Sequence, residues 1–457
     1  MPGATLTVAV IELIVAAMQP FAALMAKPGF RAAASNLAWL IADRLGRLVL
    51  SVGVGFWVAR HLGREQFGRL NYALALAGMG VVLAECGLEA VVRRELIHRP
   101  ERSGALLAAV WRLRLAVGAT CYAVVVIWSV LGVADRAERW VLIAAGGLLF
   151  QPGLAVADLW LQANLRARTA TLAQLLALTA GAGARVALIL SDAPLWAFGA
   201  TTAAEAGVAG VLLTILARRA GLQIAVERDS WALLRPLLRD AWPLLLSGVS
   251  IAIYMRIDVV MLRNLAGDGA VGIYTAAVRL SEVSYFLPMA MGASLLPSLL
   301  RARVAGEAAY AERMQQYFDL SAALAYAVAL PLAVAAPWVV RLAYGAPFAA
   351  AAPVLALHVW ATLFVFLGVA RSQFLVNERL TVFFLMATTA GALLNIALNY
   401  VLIPRIGAMG TAVATVTSYA TAAWISSYLH PAVRSTAARQ TRALLLPLTG
   451  WRYLRRW

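Results

Sequence analysis

The sequence predicts an all-α, polytopic membrane protein of about 12 transmembrane helices, in two six-helix bundles related by a pseudo-two-fold axis along the membrane normal. Three observations predict it: an extreme composition, apolar runs of bilayer length, and a weak internal repeat. The chain has 457 residues, of which 62% are hydrophobic and 13% charged. Its mean hydropathy is +0.79. Soluble domains are near-half apolar and about one-quarter charged, so a soluble globular protein is excluded. The formal charge of +17 does not indicate nucleic acid, because its basic residues are separated by long apolar stretches and form no contiguous polar face. Cys86 and Cys121 both lie inside apolar runs, which leaves neither a disulfide framework nor a cysteine metal site.

Apolar runs of about 20 residues bounded by charge, Gly or Pro fall near 36–59, 70–92, 104–132, 140–162, 170–190 and 195–217. Six more follow near 241–262, 272–298, 315–340, 350–376, 381–403 and 407–429. The intervening polar stretch, residues 218–240, carries Arg218, Arg219, Glu227, Arg228, Asp229, Arg235 and Arg239. The domain reading is therefore an N-terminal extension at 1–35, bundles at 36–217 and 241–429, a cytoplasmic linker at 218–240 and a basic tail at 430–457. Lys and Arg total about 23 on one side of these spans and about 8 on the other. The richer side is cytoplasmic by the positive-inside rule, which puts the C-terminus inside. Residues 5–25 are long enough to span but contain Glu12 and Pro20 and lack a positive leading region, which argues against a cleaved signal. In the tail, Arg439, Arg442, Arg452, Arg455 and Arg456 alternate with Leu444, Leu445, Trp451, Tyr453 and Trp457, a mixture suited to an anionic bilayer surface.

The repeat sits at corresponding points of the two halves. LGREQFGRLNYA at 62–73 aligns with AGDGAVGIYTAA at 266–277, placing Gly63 on Gly267 and Gly68 on Gly272. LWAFGATT at 195–202 aligns with IGAMGTAV at 406–413, placing Gly199 on Gly410. An even number of helices per repeat gives both halves the same direction through the membrane.

The segment from Tyr254 to Leu262, with Arg256, Ile257 and Asp258 at its centre, is followed by Val271-Gly272-Ile273-Tyr274, Arg279-Leu280 and Pro297. This order resembles the second half of bacterial polysaccharide flippases, as does Leu398 to Pro404 leading to Gly407 and Gly410. Ala59 to Gly68 is similar to the connection that follows their first helix. The resemblance covers residues 36 to 430 and is to the Wzx-type branch of the multidrug/oligosaccharidyl-lipid/polysaccharide exporter (MOP) superfamily. It implies a non-enzymatic transporter of the bacterial inner membrane. Such a protein moves an undecaprenyl-diphosphate-linked oligosaccharide from the cytoplasmic to the periplasmic leaflet among membrane lipids, with contact to polysaccharide assembly proteins. Arg279, between Tyr274 and Pro288, resembles a central-cavity arginine of the related lipid II flippases.

Fifteen charges fall inside predicted spans: Arg44, Arg47, Arg112, Arg114, Arg185, Arg256, Arg279 and Arg371, with Asp43, Glu85, Glu89, Asp158, Glu205, Asp258 and Glu282. Each costs about 2.5–3.5 kcal/mol at a lipid-facing helix centre. Arg112, Glu89 and Arg371 are near span ends, from which they can reach an interface. Asp43 with Arg47, and Arg279 with Glu282, share helix faces and can neutralise one another. Arg44 and Arg256 have no such partner. Guanidinium groups in a wet cleft suit a diphosphate, which takes paired charge-assisted bonds. The candidate substrate-binding residues are Arg44, Arg47, Arg256 and Arg279. Asp43, Asp258 and Glu282 are candidates for coupling to a proton or sodium ion. No phosphate-binding loop of the ATPase type, no metal-ligand spacing among His61, His98, His358 and His430, and no nucleophile elbow is present, so no cofactor, metal or catalytic residue is expected. A cation-coupled multidrug exporter and a membrane-embedded glycan polymerase or glycosyltransferase are the competing readings; the second calls for a large extramembrane loop.

Overall fold

The computed structural model describes residues 28–223, 230–378 and 380–449. The chain forms two compact units, residues 1–53 and 54–457. In the first, the backbone is helical from Pro28. The proposed helix at residues 5–25 lies outside the described residues.

Every predicted span falls on helix, and no strand occurs among the described residues. The first two lie on α1 (Pro28–Glu85) and α2 (Glu89–His98), and the third on α3 (Ser103–Gly132). The fourth is built from α4 (Arg136–Gly146), α5 (Gln151–Leu154) and α6 (Val156–Ala163), and the next two are α7 (Ala167–Leu190) and α8 (Leu195–Arg219). α9 (Ser230–Ala266) begins inside the stretch read as linker. α10 (Asp268–Glu282) and α11 (Phe286–Ala305) make a bent span, followed by α12 (Glu307–Tyr344). α13 (Ala351–His358) and α14 (Ala361–Asn377) make the tenth, and α15 (Thr381–Ala423) carries the last two. The tail forms α16 (Arg434–Leu444) and α17 (Leu446–Thr449).

Among the described residues nine helical segments are long and apolar enough to cross a membrane, or ten if the bent pair is one span. Two of them, Val52–His98 and Val382–Tyr428, are 47 residues long, well beyond one crossing. Both contain a break where the sequence divides two spans: Gly63 in α1, and Ile406 with Gly407 in α15. The surface is inverted relative to a soluble protein. Val124, Leu131, Val334, Trp338, Met386 and Leu393 point outward, while the interior is packed with alanines and tyrosines.

The repeat at 62–73 and 266–277 has a structural counterpart. Gly63 (φ 69°, ψ 174°) and Gly267 (φ 83°, ψ 175°) share a conformation essentially reserved for glycine. Downstream, the two segments pack on one another. A Cβ on Gly68 would lie 1.9 Å from the Asp268 carbonyl oxygen, and one on Gly272 would lie 2.0 Å from the Arg64 carbonyl oxygen. Both pairs are related by the same 204-residue offset, so the contact is reciprocal. Gly199 and Gly410 differ in this respect: Gly199 faces Val141 and Ala145, whereas Gly410 faces Leu402 of its own helix.

Ion pairs surround this seam. Arg69 bonds Asp268 at 2.9 Å and Asp135 at 2.9 Å. Arg263 bonds Asp268 at 3.3 Å and also pairs with Glu138. Asp268 is the shared acceptor, and it sits at the start of α10, where a negative charge is favoured. Asp268→Ala is expected to destabilise the chain by about 1–3 kcal/mol, because two arginines lose a charge-assisted bond. A thermal unfolding midpoint equal to wild type would show these pairs to be idle.

Arg371 departs from the sequence expectation. It is 2% exposed and does not reach an interface. Its guanidinium donates to Ser426 and Ser427 hydroxyls at 2.9 Å and to the Ala422 carbonyl at 2.7 Å. Carbonyls at a helix C-terminus lack intrahelical donors and carry partial negative charge. The end of α15 therefore supplies what lipid headgroups would have supplied.

Candidate functional site

Arg279 occupies the last turn of α10, about 10 Å along the helix from the Gly272 contact. From there its side chain reaches α1. Nη2 donates to Asn71 Oδ1 at 2.7 Å, and the guanidinium lies over the Phe67 ring at 5.2 Å. Asn71 is oriented for this by its own amide, which donates to the Phe67 carbonyl at 2.7 Å. Gly55 leaves room beside Nη1, since a Cβ there would sit 3.4 Å away. Arg279 is surrounded by protein yet retains substantial solvent access.

The expected Arg279–Glu282 pair does not form: no carboxylate among the described residues lies within ion-pair distance of Arg279. Both residues lie within α10, so the shared helix face exists, but the guanidinium is drawn across to Asn71 of α1 instead. Glu282 and Arg256 remain within electrostatic reach of Arg279, as does Arg185 on α7. Arg256 is exposed, as its lack of an i±3 or i±4 partner led one to expect. Arg185 pairs with Glu205 of α8 at 2.8 Å and reaches Thr202 at 3.3 Å. Gly181, one turn before Arg185, makes the space for that carboxylate, since a Cβ there would meet Glu205 at 2.3 Å. Sequence reasoning counted Arg185 and Glu205 as intramembrane charges but did not bring them to the site, because they pair between helices.

Asp258 takes a different position from the arginines. It is 5% exposed. One carboxylate oxygen accepts from the Val259 backbone amide at 2.9 Å, and the other accepts from the Tyr274 hydroxyl, with Thr415 at 3.5 Å. Tyr274 also stands edge-on to His358, whose Nδ1 lies 2.7 Å from the Ser281 hydroxyl. The result is a buried polar cluster joining α9, α10, α13 and α15. Elsewhere on α15, Asn399 donates to Asn395, and both are fully buried. Asp43, Arg44 and Arg47 lie on helical backbone, with side chains outside the described residues. Among the described residues, no group of three or more His, Cys, Asp or Glu could hold a metal ion.

The arrangement offers two chemistries. Arg256 and Arg279 bring positive charge together, with Arg185 close by but offset by Glu205, and Asp258 is a buried hydrogen-bond acceptor. A guanidinium held by a neutral amide keeps its full charge for an incoming anion.

The sequence profile of the polysaccharide biosynthesis protein family matches residues 33–303. No curated protein sequence matches the chain. Among solved structures, the lipid II flippase MurJ in an inward closed conformation superposes with a TM-score of 0.69 at 12% identity, covering 90% of this chain and 91% of that one. An inward-facing multidrug resistance MATE family transporter of the MOP superfamily gives 0.65 at 17% identity, covering 88% and 99%. A MOP superfamily transporter from Pyrococcus furiosus, described as having a binding pocket of reverse polarity, gives 0.55 at 17% identity, covering 89% and 94%.

Proposed function

The chain belongs to the polysaccharide biosynthesis protein family and has the fold of MOP-superfamily transporters, and from that premise we propose that it flips a lipid-linked oligosaccharide across the bacterial inner membrane. The substrate is an undecaprenyl-diphosphate-linked glycan, and it moves from the cytoplasmic to the periplasmic leaflet. The observation that carries this reading is Arg279, solvent-accessible deep in the protein and tied to an amide rather than a carboxylate. With Arg256 nearby, and Arg185 held by Glu205, it sets up a cationic field suited to a diphosphate and unsuited to a cationic drug. The glycan follows through the aqueous interior, and the polyprenyl chain stays in lipid. No covalent bond of the substrate changes, so no enzymatic step is involved.

Transport proceeds by alternating access of the six-helix halves. The reciprocal glycine seam and its ion pairs seal one end, and the opposite end admits substrate. The test is flipping of a fluorescent lipid diphosphate by the purified chain in liposomes. Flipping supports the reading; transport of a lipophilic cation with no lipid flipping would replace it with drug export.

Asp258 is the coupling acid, with Glu282 and Asp43 as further candidates. An inside-negative potential favours outward movement of the anionic lipid by about 2.3 kcal/mol per charge per 100 mV. Arginines that return with the empty carrier offset part of this, and a proton or sodium ion taken up at Asp258 restores direction. Asp258→Asn is expected to remove the dependence of flipping on pH or sodium while leaving residual exchange. Unchanged gradient dependence in that variant would exclude Asp258 from coupling.

A further inference from the structure

Away from the central arginines, α11, α12 and α16 enclose a cleft of about 1420 Å³. Its walls change character along α12. At one end are Glu312, Arg313 and Gln316; toward the other are Leu320, Ala323 and Leu330, with no charge beyond Asp319. From Glu312 to Leu330 the helix rises about 27 Å, enough to run from a headgroup zone deep into the hydrocarbon. Leu295 and Leu299 of α11 add apolar lining, and α16 adds Arg439, whose carbonyl accepts from Gln315 at 3.3 Å, and Arg442, which lies near Asp319. A smaller adjoining pocket shares Ser298, Glu312, Arg313 and Gln316 and contributes Arg301. Four arginines thus face two acids; Asp319 accepts from Gln315 at 2.7 Å and lies in the field of Arg442, and Arg313 donates to Gln316 at 3.0 Å, which leaves a net positive charge in the cleft.

The tail helix is fixed in place at this cleft. Gln440 donates to the Ala423 carbonyl at 2.9 Å, the Trp424 indole N–H donates to Thr441 at 2.9 Å, and the Tyr326 hydroxyl donates to the Leu444 carbonyl at 2.8 Å. The arginines are therefore presented on a held scaffold, not on a free tail.

We propose that this cleft binds one anionic phospholipid of the adjoining leaflet, its phosphate among Arg313, Arg439 and Arg442 and an acyl chain along Leu320, Ala323 and Leu330. A soluble anion would have no use for the apolar wall. A zwitterionic or neutral lipid would gain little from the excess positive charge. The occupied cleft clamps α16 to α11 and α12, so the lipid acts as a structural or regulatory ligand separate from the transported substrate. This inference is independent of what the central pocket carries.

The test uses the full chain in detergent with dioctanoyl phosphatidylglycerol and dioctanoyl phosphatidylcholine, followed by native mass spectrometry and thermal midpoint. Phosphatidylglycerol is expected to bind about tenfold more tightly, the worth of one charge-assisted contact. The double variant Arg439→Gln/Arg442→Gln should bring the two lipids level. Ala323→Trp, which keeps every arginine, should weaken both, and Leu330→Trp serves the same purpose if the first variant does not fold. Equal binding of the two lipids by wild type overturns the proposal. So does undiminished phosphatidylglycerol binding in a folded cleft-filling variant, which would reduce the effect to surface charge. Glycerol 1-phosphate competing as well as the intact lipid would make this a free-anion site. Lipid binding that appears only after removal of residues 450–457 would make that segment the occupant.

Discussion

Gly272→Ala is expected to abolish most lipid flipping in a chain that still folds. The added methyl would lie 2.0 Å from the Arg64 carbonyl oxygen, and no side-chain rotation relieves a clash with backbone. The two segments must separate, at a cost of about 1–3 kcal/mol for an overpacked contact. A sealed state weakened by that amount is populated about 5- to 150-fold less. Gly68→Ala should act alike, with its methyl 1.9 Å from the Asp268 carbonyl oxygen. Because both methyls demand the same separation, the double variant should cost much less than the two singles together. Flipping assays and unfolding midpoints for the three variants check this. Strict additivity would show that the two glycines relieve unrelated strains, and wild-type flipping in either single variant would remove the seam from the transport cycle.

Arg279→Ala is expected to weaken lipid diphosphate binding by about a hundredfold, the loss of two charge-assisted bonds. Lysine at this position should recover only part of it, since an ammonium cannot reproduce the planar fork or its stacking on Phe67. The more discriminating variant is Asn71→Asp. It keeps the arginine and supplies the missing carboxylate at the site of a 2.7 Å contact, at the cost of the amide's bond to the Phe67 carbonyl. Binding of a lipid diphosphate should fall although no positive residue has been removed. Full affinity in Asn71→Asp, measured by titration of the purified chain, would mean that Arg279 organises the helices and does not meet the substrate.

The helical, membrane-spanning fold was legible because bilayer-length apolar runs obey a length rule that needs no tertiary information. The divisions between the first two and the last two spans were legible as ends of apolar runs, and they fall at Gly63 and Gly407, which have positive φ. The candidate site was legible only in part. Arg279 stood out as an intramembrane charge, but its partner Asn71 is 208 positions away and no periodicity points to it. The i+3 spacing put Arg279 and Glu282 on one face of α10, yet the guanidinium takes a partner on another helix. Arg185 with Glu205, and Arg371 with the end of α15, are pairings between helices, which one-dimensional spacing does not encode. The weak match between the Gly199 and Gly410 segments has no shared packing behind it, since the two glycines meet different neighbours.

The self-matching seam at Gly68 and Gly272 bears on how such a chain can arise. It is a contact that two copies of a single half-length protein can make with each other, since each copy supplies both the glycine and the carbonyl that fills it. Joining the copies end to end leaves that backbone interface as it was and releases its side chains from identity. Positions 204 apart now carry Asn71 and Thr275, and Ala75 and Arg279. A dimer of identical subunits would have to place an arginine at both Ala75 and Arg279, two like charges across one axis. Fusion allows one guanidinium, with an amide rather than a second cation as its neighbour, and so permits a lopsided interior inside a symmetric frame.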